Sequence, residues 1–428
     1  MTSLLYTTSV AASLVLLCLM PAFATADQLT LDECLVLARN NNPALKVTRS
    51  DILMARETVR QTGANSYPRL DIQGGYTSQL DAQAMQLLGR TVETQQPNYA
   101  FTGISLNHTL YDFGRRDARQ QTALNSAEAV EFEAEHLQQE ILLQVIETYY
   151  RILEGTKNSA AAREELHNVE EHRRMAQALY ESGSVTRNDL LQADVRLANA
   201  RQKLLGIRNR VKNLQLRLNF LTGLPIATEH ELTDPPEQPG IDSSMQDLNV
   251  AIGRRADLQA LRKNASAADL TAQESRAAFY PELFARLSLD YLQNDRLREQ
   301  AIYAATAGIR FNVFDGFASS ATEQKALAGR SKAQQQLSLA EEQARLEIAQ
   351  AANDLKVASE QITAIQESIR QGQENLRINR NRYQERIGTA TDVLDAQTLL
   401  TQARTEYYRA VYDHRIAAAR LRKALGNL

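Results

Sequence analysis

The chain has 428 residues and a net charge of −3, with 48 basic and 51 acidic residues mixed along its length. That balance provides no sustained basic footprint, so nucleic acid is not expected as a partner. The length would suit two or three ordinary domains, but matched motifs along the chain point to one duplicated architecture.

The first 26 residues read as a signal peptide, 1–26: Val10 to Met20 is apolar, and Ala24-Thr25-Ala26 offers small residues for cleavage before Asp27. No Lys or Arg precedes Arg39. The usual basic n-region is therefore absent, leaving the amino terminus or a different translation start to supply the charge. Cys18 follows Leu16-Leu17 rather than the small residue a lipoprotein signal needs, so lipidation is not expected there. Cys34 is then the single cysteine of the mature chain, which excludes an intrachain disulfide. It sits in the helical pattern Leu31-Asp32-Glu33-Cys34-Leu35-Val36-Leu37-Ala38 and is read as a small buried apolar residue.

Residues 27–66 are expected to form N-terminal helices, and 67–112 a β-hairpin. After Pro68, Leu70, Ile72, Gly74 and Tyr76 alternate with Asp71, Gln73, Gly75 and Thr77, a period of two that gives one apolar and one polar face. Ile104, Leu106 and Leu110 mark the returning strand, and Ser78 to Asn98 reads as a long polar loop interrupted by Met85, Leu87 and Leu88. None of the nine prolines lies between Pro97 and Pro225 or after Pro281, so two long stretches lack an obligate helix breaker. From Arg115 to Leu179 a helix could run for about 65 residues, or about 100 Å. Long helices thus fill 113–222, a linker occupies 223–250, and a further helix 251–280. A second hairpin at 281–315 alternates Leu283, Ala285, Leu287, Leu289 and Tyr291 with polar residues, and returns through Ile309, Phe311 and Val313. Helices resume over 316–428. There Leu355, Ala358, Ile362, Ile365, Ile369, Gly372, Leu376 and Tyr383 follow a coiled-coil seam, with Asn379 as its polar exception.

The two halves correspond. Tyr180 and Asp189 match Tyr383 and Asp392, Asp112 matches Asp315, and Gly223 matches Gly426, all 203 residues apart. Upstream, Tyr67-Pro68 matches Tyr280-Pro281, and Asn42-Pro43-Ala44-Leu45 matches Arg255-Ala256-Asp257-Leu258, both at 213. Constant spacing over so many positions marks a duplicated supersecondary unit, with ten extra residues between Pro68 and Asp112. Amphipathic strands of about ten residues, without a hydrophobic helix, are the pattern of a transmembrane β-barrel. Four strands cannot close one, because the smallest single-chain barrels have about 8. Open edges in lipid would leave backbone groups unpaired, so the barrel has to be shared between chains. A soluble hairpin packed on helices is the competing reading of the same strands.

These features together resemble the TolC-like outer-membrane efflux protein family. The resemblance rests on Leu29-Thr30-Leu31-Asp32-Glu33, Asn40-Asn41-Asn42-Pro43-Ala44-Leu45, Leu110-Tyr111-Asp112-Phe113-Gly114, Leu221-Thr222-Gly223-Leu224-Pro225, Phe314-Asp315-Gly316 and Asp392-Val393-Leu394-Asp395-Ala396-Gln397, with the Tyr-Pro pairs at 67 and 280. It implies a mainly α chain with a transmembrane β part: a homotrimer forming a 12-stranded barrel in the outer membrane, continuous with a periplasmic α-helical barrel. The family acts as the exit duct of efflux pumps and type I secretion. Its members are reached from an inner-membrane transporter through a periplasmic adaptor, the membrane fusion protein.

Asp392 and Asp395 are three residues apart and so lie near each other on one helix face. The resemblance implies that they line the periplasmic constriction, where rings of carboxylates would favour cations. Their alternative reading is helix capping. The first copy has Asp189 but Gln192 at the equivalent positions. Tyr383 matches a family tyrosine that helps to hold the tip closed. Gly388 stands where one member has a gating arginine, for which Arg386 could substitute.

Catalysis finds no support: the chain has no phosphate loop or nucleophile elbow. His167 and His172 are five residues apart, not the four that would place two zinc ligands on one helix face, and are read as solvated. No cofactor or metal is expected. A periplasmic coiled-coil adaptor or structural envelope protein is the alternative function, and a metal-dependent hydrolase a distant third.

Overall fold

The computed structural model describes residues 28–236, 248–296, 298–385 and 387–428. The expected signal peptide, with Cys18, and Arg386 lie outside the described residues. The first copy runs through β1 (Gln28–Leu29), α1 (Leu31–Asn41), α2 (Pro43–Gly63), β2 (Arg69–Ser78), β3 (Ala84–Leu87), β4 (Arg90–Glu93), β5 (Asn98–Tyr111), α3 (Arg115–Glu181), α4 (Arg187–Thr222) and β6 (Glu231–Leu232). The second contains α5 (Leu248–Arg254), α6 (Ala256–Ala277), β7 (Glu282–Leu292), β8 (Ala301–Arg310), α7 (Ala318–Gln384) and α8 (Ala390–Ala424). Helices α3 and α7 each have 67 residues.

Local chemistry explains the starts and stops. Thr30 and Glu33 form a capping box at α1, while Asn42 caps α2 through its side chain ahead of Pro43. Helix α4 ends at Gly223, whose φ of 72° is free for glycine. The copies also repeat a buried tertiary contact with different side chains. Asn42 Nδ2 donates to the Leu221 carbonyl at 2.8 Å; Arg255, its counterpart, donates from Nη1 to the Ala424 carbonyl at 3.1 Å. The buried Arg255 charge is balanced by Asp257 at 2.8 Å and Glu347 at 2.7 Å. A buried cation needs such partners.

The largest core lies midway along α3, where Ile141, Leu142, Val145, Tyr149, Ile152 and Leu153 meet α1, α4 and α8. Cys34 is fully buried there, and burial, followed by the Glu33 charge, pushes its thiol pKa up to about 12. Tyr149 donates to the carbonyls of Leu29 at 3.0 Å and Thr233 at 2.5 Å. It thereby ties the parallel β1–β6 pair to the long helix. Beyond this core, α3 runs along α4 and α7 along α8. Between Leu355 and Tyr383 every buried or half-buried residue belongs to the seam expected from sequence, including Asn379, whose amide donates to Asn375.

Four of the strands form one antiparallel sheet in the order β2–β5–β7–β8. Cross-strand pairing puts Leu70, Leu106, Leu287 and Ala305 on one face and Asp71, Ser105, Ser288 and Ala304 on the other. The apolar face is largely unpacked: Ile72, Tyr303 and Ile309 are 72%, 79% and 68% exposed.

Two expectations are corrected. The region read as a polar loop over Ser78 to Asn98 contains a β-hairpin, β3–β4, in which Met85 pairs with Val92 and Leu87 with Arg90. Its turn is Leu88-Gly89, with φ of 50° and 76°, the left-handed pair that a two-residue hairpin requires. The returning strand of the second copy stops at Arg310 rather than reaching Val313, because β7 begins at Glu282, the partner of Arg310, and offers no backbone further down.

Candidate functional site at the helical tip

The ends of α3 and α7 turn back into α4 and α8. Both reversals use one device. Thr186 and Asp189 form a capping box at α4, and Thr389 and Asp392 form one at α8. The Thr389 N–H donates to Asp392 Oδ2 at 2.9 Å, and the Asp392 N–H donates to Thr389 Oγ1 at 3.2 Å. Hydrogen bonds from the Thr389 backbone and hydroxyl, followed by the Arg382 charge, hold the Asp392 carboxyl below its ordinary pKa. At Asp189 the Thr186 hydroxyl and then its N–H do the same. The repeated Thr-x-x-Asp motif is thus a helix start in both copies, and it also fixes where the carboxylates stand.

Asp395 lies one turn further along α8 and is exposed. It approaches Arg196 of α4 at 3.5 Å. Arg196 in turn neighbours the half-buried His172 of α3, whose pKa is lowered by burial and by that cation. His167 is exposed, so of the two histidines read as solvated only one is. Among the described residues no group of His, Cys, Asp and Glu could hold a metal ion.

A second cross-link joins the two helical hairpins: the Tyr383 hydroxyl donates to Met175 Sδ at 3.4 Å. Around it, Leu376, Ala396 and Leu400 pack with Ile369 and Val393. Gly388 donates its N–H to the Arg382 carbonyl at 3.0 Å, and a Cβ there would stand 3.2 Å from Arg382 Cβ and 3.3 Å from the Tyr383 nitrogen. The turn itself therefore favours glycine where a side chain would crowd the helix end. Arg196 and Met175 carry no sequence signal for this role, because the contact each makes is with a residue some two hundred positions away in the chain.

Comparison with known proteins shows the same duplication. Residues 34–224 and 248–427 each match the family model described as outer membrane efflux protein. The chain belongs to that family. The pyoverdine export outer membrane protein OpmQ of Pseudomonas putida is 24% identical over 426 residues, covering 95% of this chain and 87% of OpmQ. The putative multidrug resistance outer membrane protein MdtQ of Escherichia coli is 25% identical over 299 residues, covering 65% of this chain and 60% of MdtQ. Among solved structures, a membrane protein from Pseudomonas aeruginosa superposes with a TM-score of 0.82 at 21% identity, over 92% of this chain and 93% of that one. The outer membrane protein VceC of Vibrio cholerae gives 0.79 at 22% identity, over 92% and 96%. The fold is that of TolC-like efflux channels: a mainly helical body with an outer-membrane β part. As an outer membrane efflux protein, the chain is a duct for export rather than an adaptor.

Proposed function

We propose that three copies of this chain close one continuous conduit, through which an inner-membrane transporter, coupled by a periplasmic adaptor, exports small molecules. The observation that carries this reading is the sheet with two open edges. Strands β2 and β8 each pair on one side only, and the apolar face between them is bare. Unpaired edges are not tolerable in lipid for a single chain; threefold closure removes them by joining β8 of one copy to β2 of the next, and leaves the apolar face to meet the lipid. In this arrangement 67–112 and 281–315 sit in the outer membrane, while 113–222 and 316–428 reach into the periplasm. The names of OpmQ, for pyoverdine export, and MdtQ, for multidrug resistance, support small molecules as the cargo class.

Asp392 and Asp395 line the narrow periplasmic end in this reading, with Tyr383 and Arg386 supporting the gate. Asp392 is fixed in place by its capping box, whereas Asp395 makes a long ion pair to Arg196. Cross-linking and mass measurement of the detergent-purified protein should give threefold assemblies; a stable monomer resident in the outer membrane would refute the shared barrel. For the site, Asp392→Ala with Asp395→Ala should weaken cation preference and cation block of the reconstituted pore. The difference should shrink with ionic strength, since exposed charges are screened over about 8 Å at 0.15 M salt. An unchanged reversal potential in asymmetric potassium chloride would take both aspartates out of the constriction and leave Asp392 with its capping box alone.

A further inference from the structure

The polar face of the four-stranded sheet carries its charges in order. Cross-strand pairing sets Arg69, Asn107, Arg286 and Thr306 in one row, and Glu282 opposite Arg310 two rows nearer the helices. Asp71 lies one row, and Asp290 two rows, to the other side. The helix-side end of the face therefore gathers three arginines against Asp71 and Glu282, an excess of one positive charge per chain, while Asp290 stands apart towards the far end.

The donors of these arginines are largely unspent, although each guanidinium offers five N–H groups. Arg69 gives its Nε to Asp71 at 2.8 Å. Arg310 stands 3.8 Å from Glu282, beyond hydrogen-bond reach, and lies over the Phe284 ring at 5.0 Å from its centroid. Glu282 accepts instead from the Thr109 hydroxyl at 2.7 Å. The side chain of Arg286 is exposed and makes neither a hydrogen bond nor an ion pair among the described residues. Arg69, Thr109, Glu282 and Arg310, one from each strand, line a single hollow of 540 Å³, with Tyr67 and Phe284 as apolar walls. One hollow reaching across four strands makes the sheet concave on its polar face, the face that lines the lumen when the apolar face meets lipid.

Threefold closure concentrates the arginines further. Arg310 is the last residue of β8 and Arg69 the first of β2, so joining these antiparallel edges brings both to the same end of each seam. Twelve strands about 4.8 Å apart and tilted by about 40° enclose a radius of roughly 12 Å. Guanidiniums reaching inward from that wall stand on the order of 10 Å apart, close to the ~8 Å range of a charge in 0.15 M salt, so their fields overlap across the lumen. Like charges held together with free donors are stabilised by an anion between them.

We propose that Arg69, Arg286 and Arg310 of the three copies form an anion-binding belt at the helix-side end of the barrel lumen, which takes the carboxylate, sulfonate or phosphate group of a small organic molecule in transit. The hollow receives the body of such a molecule between Tyr67 and Phe284 while its anionic group meets the guanidiniums. Exposed arginines hold the group weakly and release it, as conduction requires. The belt rests on the threefold barrel proposed above and narrows its cargo to anions.

Benzenesulfonate serves as the probe, with benzenesulfonamide as its uncharged counterpart. In planar bilayers at about 0.15 M potassium chloride, benzenesulfonate added on the side to which the barrel opens should block the pore, and the sulfonamide should not. Arg286→Gln removes one charge from each copy and should raise the half-blocking concentration about tenfold. Arg286→Lys keeps the charge and should stay within about twofold of the parent. Block should vanish near 1 M salt, where charge reaches only about 3 Å. Equal block of the parent and Arg286→Gln, or equal block by the sulfonamide, would overturn the belt and leave the duct intact. A measurement that does not depend on current uses the detergent-purified protein: the fluorine resonance of trifluoromethanesulfonate should broaden more with the parent than with Arg286→Gln, and equal broadening would also overturn the belt. A parent protein that forms neither trimers nor pores would remove the barrel and the belt together.

Discussion

Three glycines with nearly the same backbone angle offer a graded test of how tightly the helical body is assembled. Gly183, Gly223 and Gly426 have φ of 71°, 72° and 71° and end α3, α4 and α8. Substitution by alanine introduces the same left-handed strain at each, about 1 kcal/mol. Their surroundings differ. A Cβ on Gly183 meets nothing within 4 Å. On Gly426 it would come 3.3 Å from the Arg255 nitrogen, close enough to require a small adjustment. On Gly223 it would lie 2.7 Å from the Asn41 carbonyl oxygen and 2.9 Å from its carbon, which are backbone atoms that cannot rotate away. Relief there requires moving the end of α1 away from α4, an overpacking cost of about 1–3 kcal/mol beyond the strain. Gly183→Ala should therefore cost about 1 kcal/mol, Gly426→Ala slightly more, and Gly223→Ala about 2–4 kcal/mol. Thermal loss of helical circular dichroism in detergent, recorded at one scan rate because such proteins unfold irreversibly, should rank the midpoints in that order. Equal shifts for all three would show that backbone strain alone decides, and that the contact between α1 and α4 yields freely.

Acid should open the tips first. Asp189 and Asp392 have folded pKa values below the ordinary carboxylate value near 3.9, so their contribution is complete above that pH and is lost as the pH falls through the folded value. Hydrogen exchange should show the first turns of α4 and α8 losing protection below about pH 4, with no change between pH 7 and 5; protection matching mid-helix amides throughout would deny the capping role. Tyr149→Phe removes the hydroxyl that donates to the carbonyls of Leu29 and Thr233 and should cost about 1–3 kcal/mol in thermal denaturation, while Tyr303→Phe on the exposed sheet face should cost almost nothing. An epitope inserted between Leu88 and Gly89, at the tip of the β3–β4 hairpin, should be labelled on intact cells; labelling only after the outer membrane is opened would reverse the orientation.

The sequence alone determined the periodic parts of this protein. Helices α3 and α7 follow from long stretches without proline, the α7 seam from its alternating steps, and the lipid-facing strands from their alternation, because each pattern is a local consequence of backbone geometry. Duplication was legible for the same reason: equal spacing survives even where individual residues change. Tertiary structure decided what depends on partners distant in the chain. Nothing in the linear order revealed that Arg255 would make the contact of Asn42 to the end of its last helix, since a guanidinium and an amide share only the ability to donate. The β3–β4 hairpin was hidden by a polar sequence and a leucine in its turn. It is held where Gln96 meets Asp295 at 2.8 Å, Asn294 donates to the Thr94 carbonyl at 3.0 Å, and Arg296 pairs with Glu93. At the tip, the sequence marked Asp392 and Asp395 as a pair. Only the fold separated them, tying one carboxylate to the start of its own helix and leaving the other within reach of Arg196 on a helix some two hundred residues earlier.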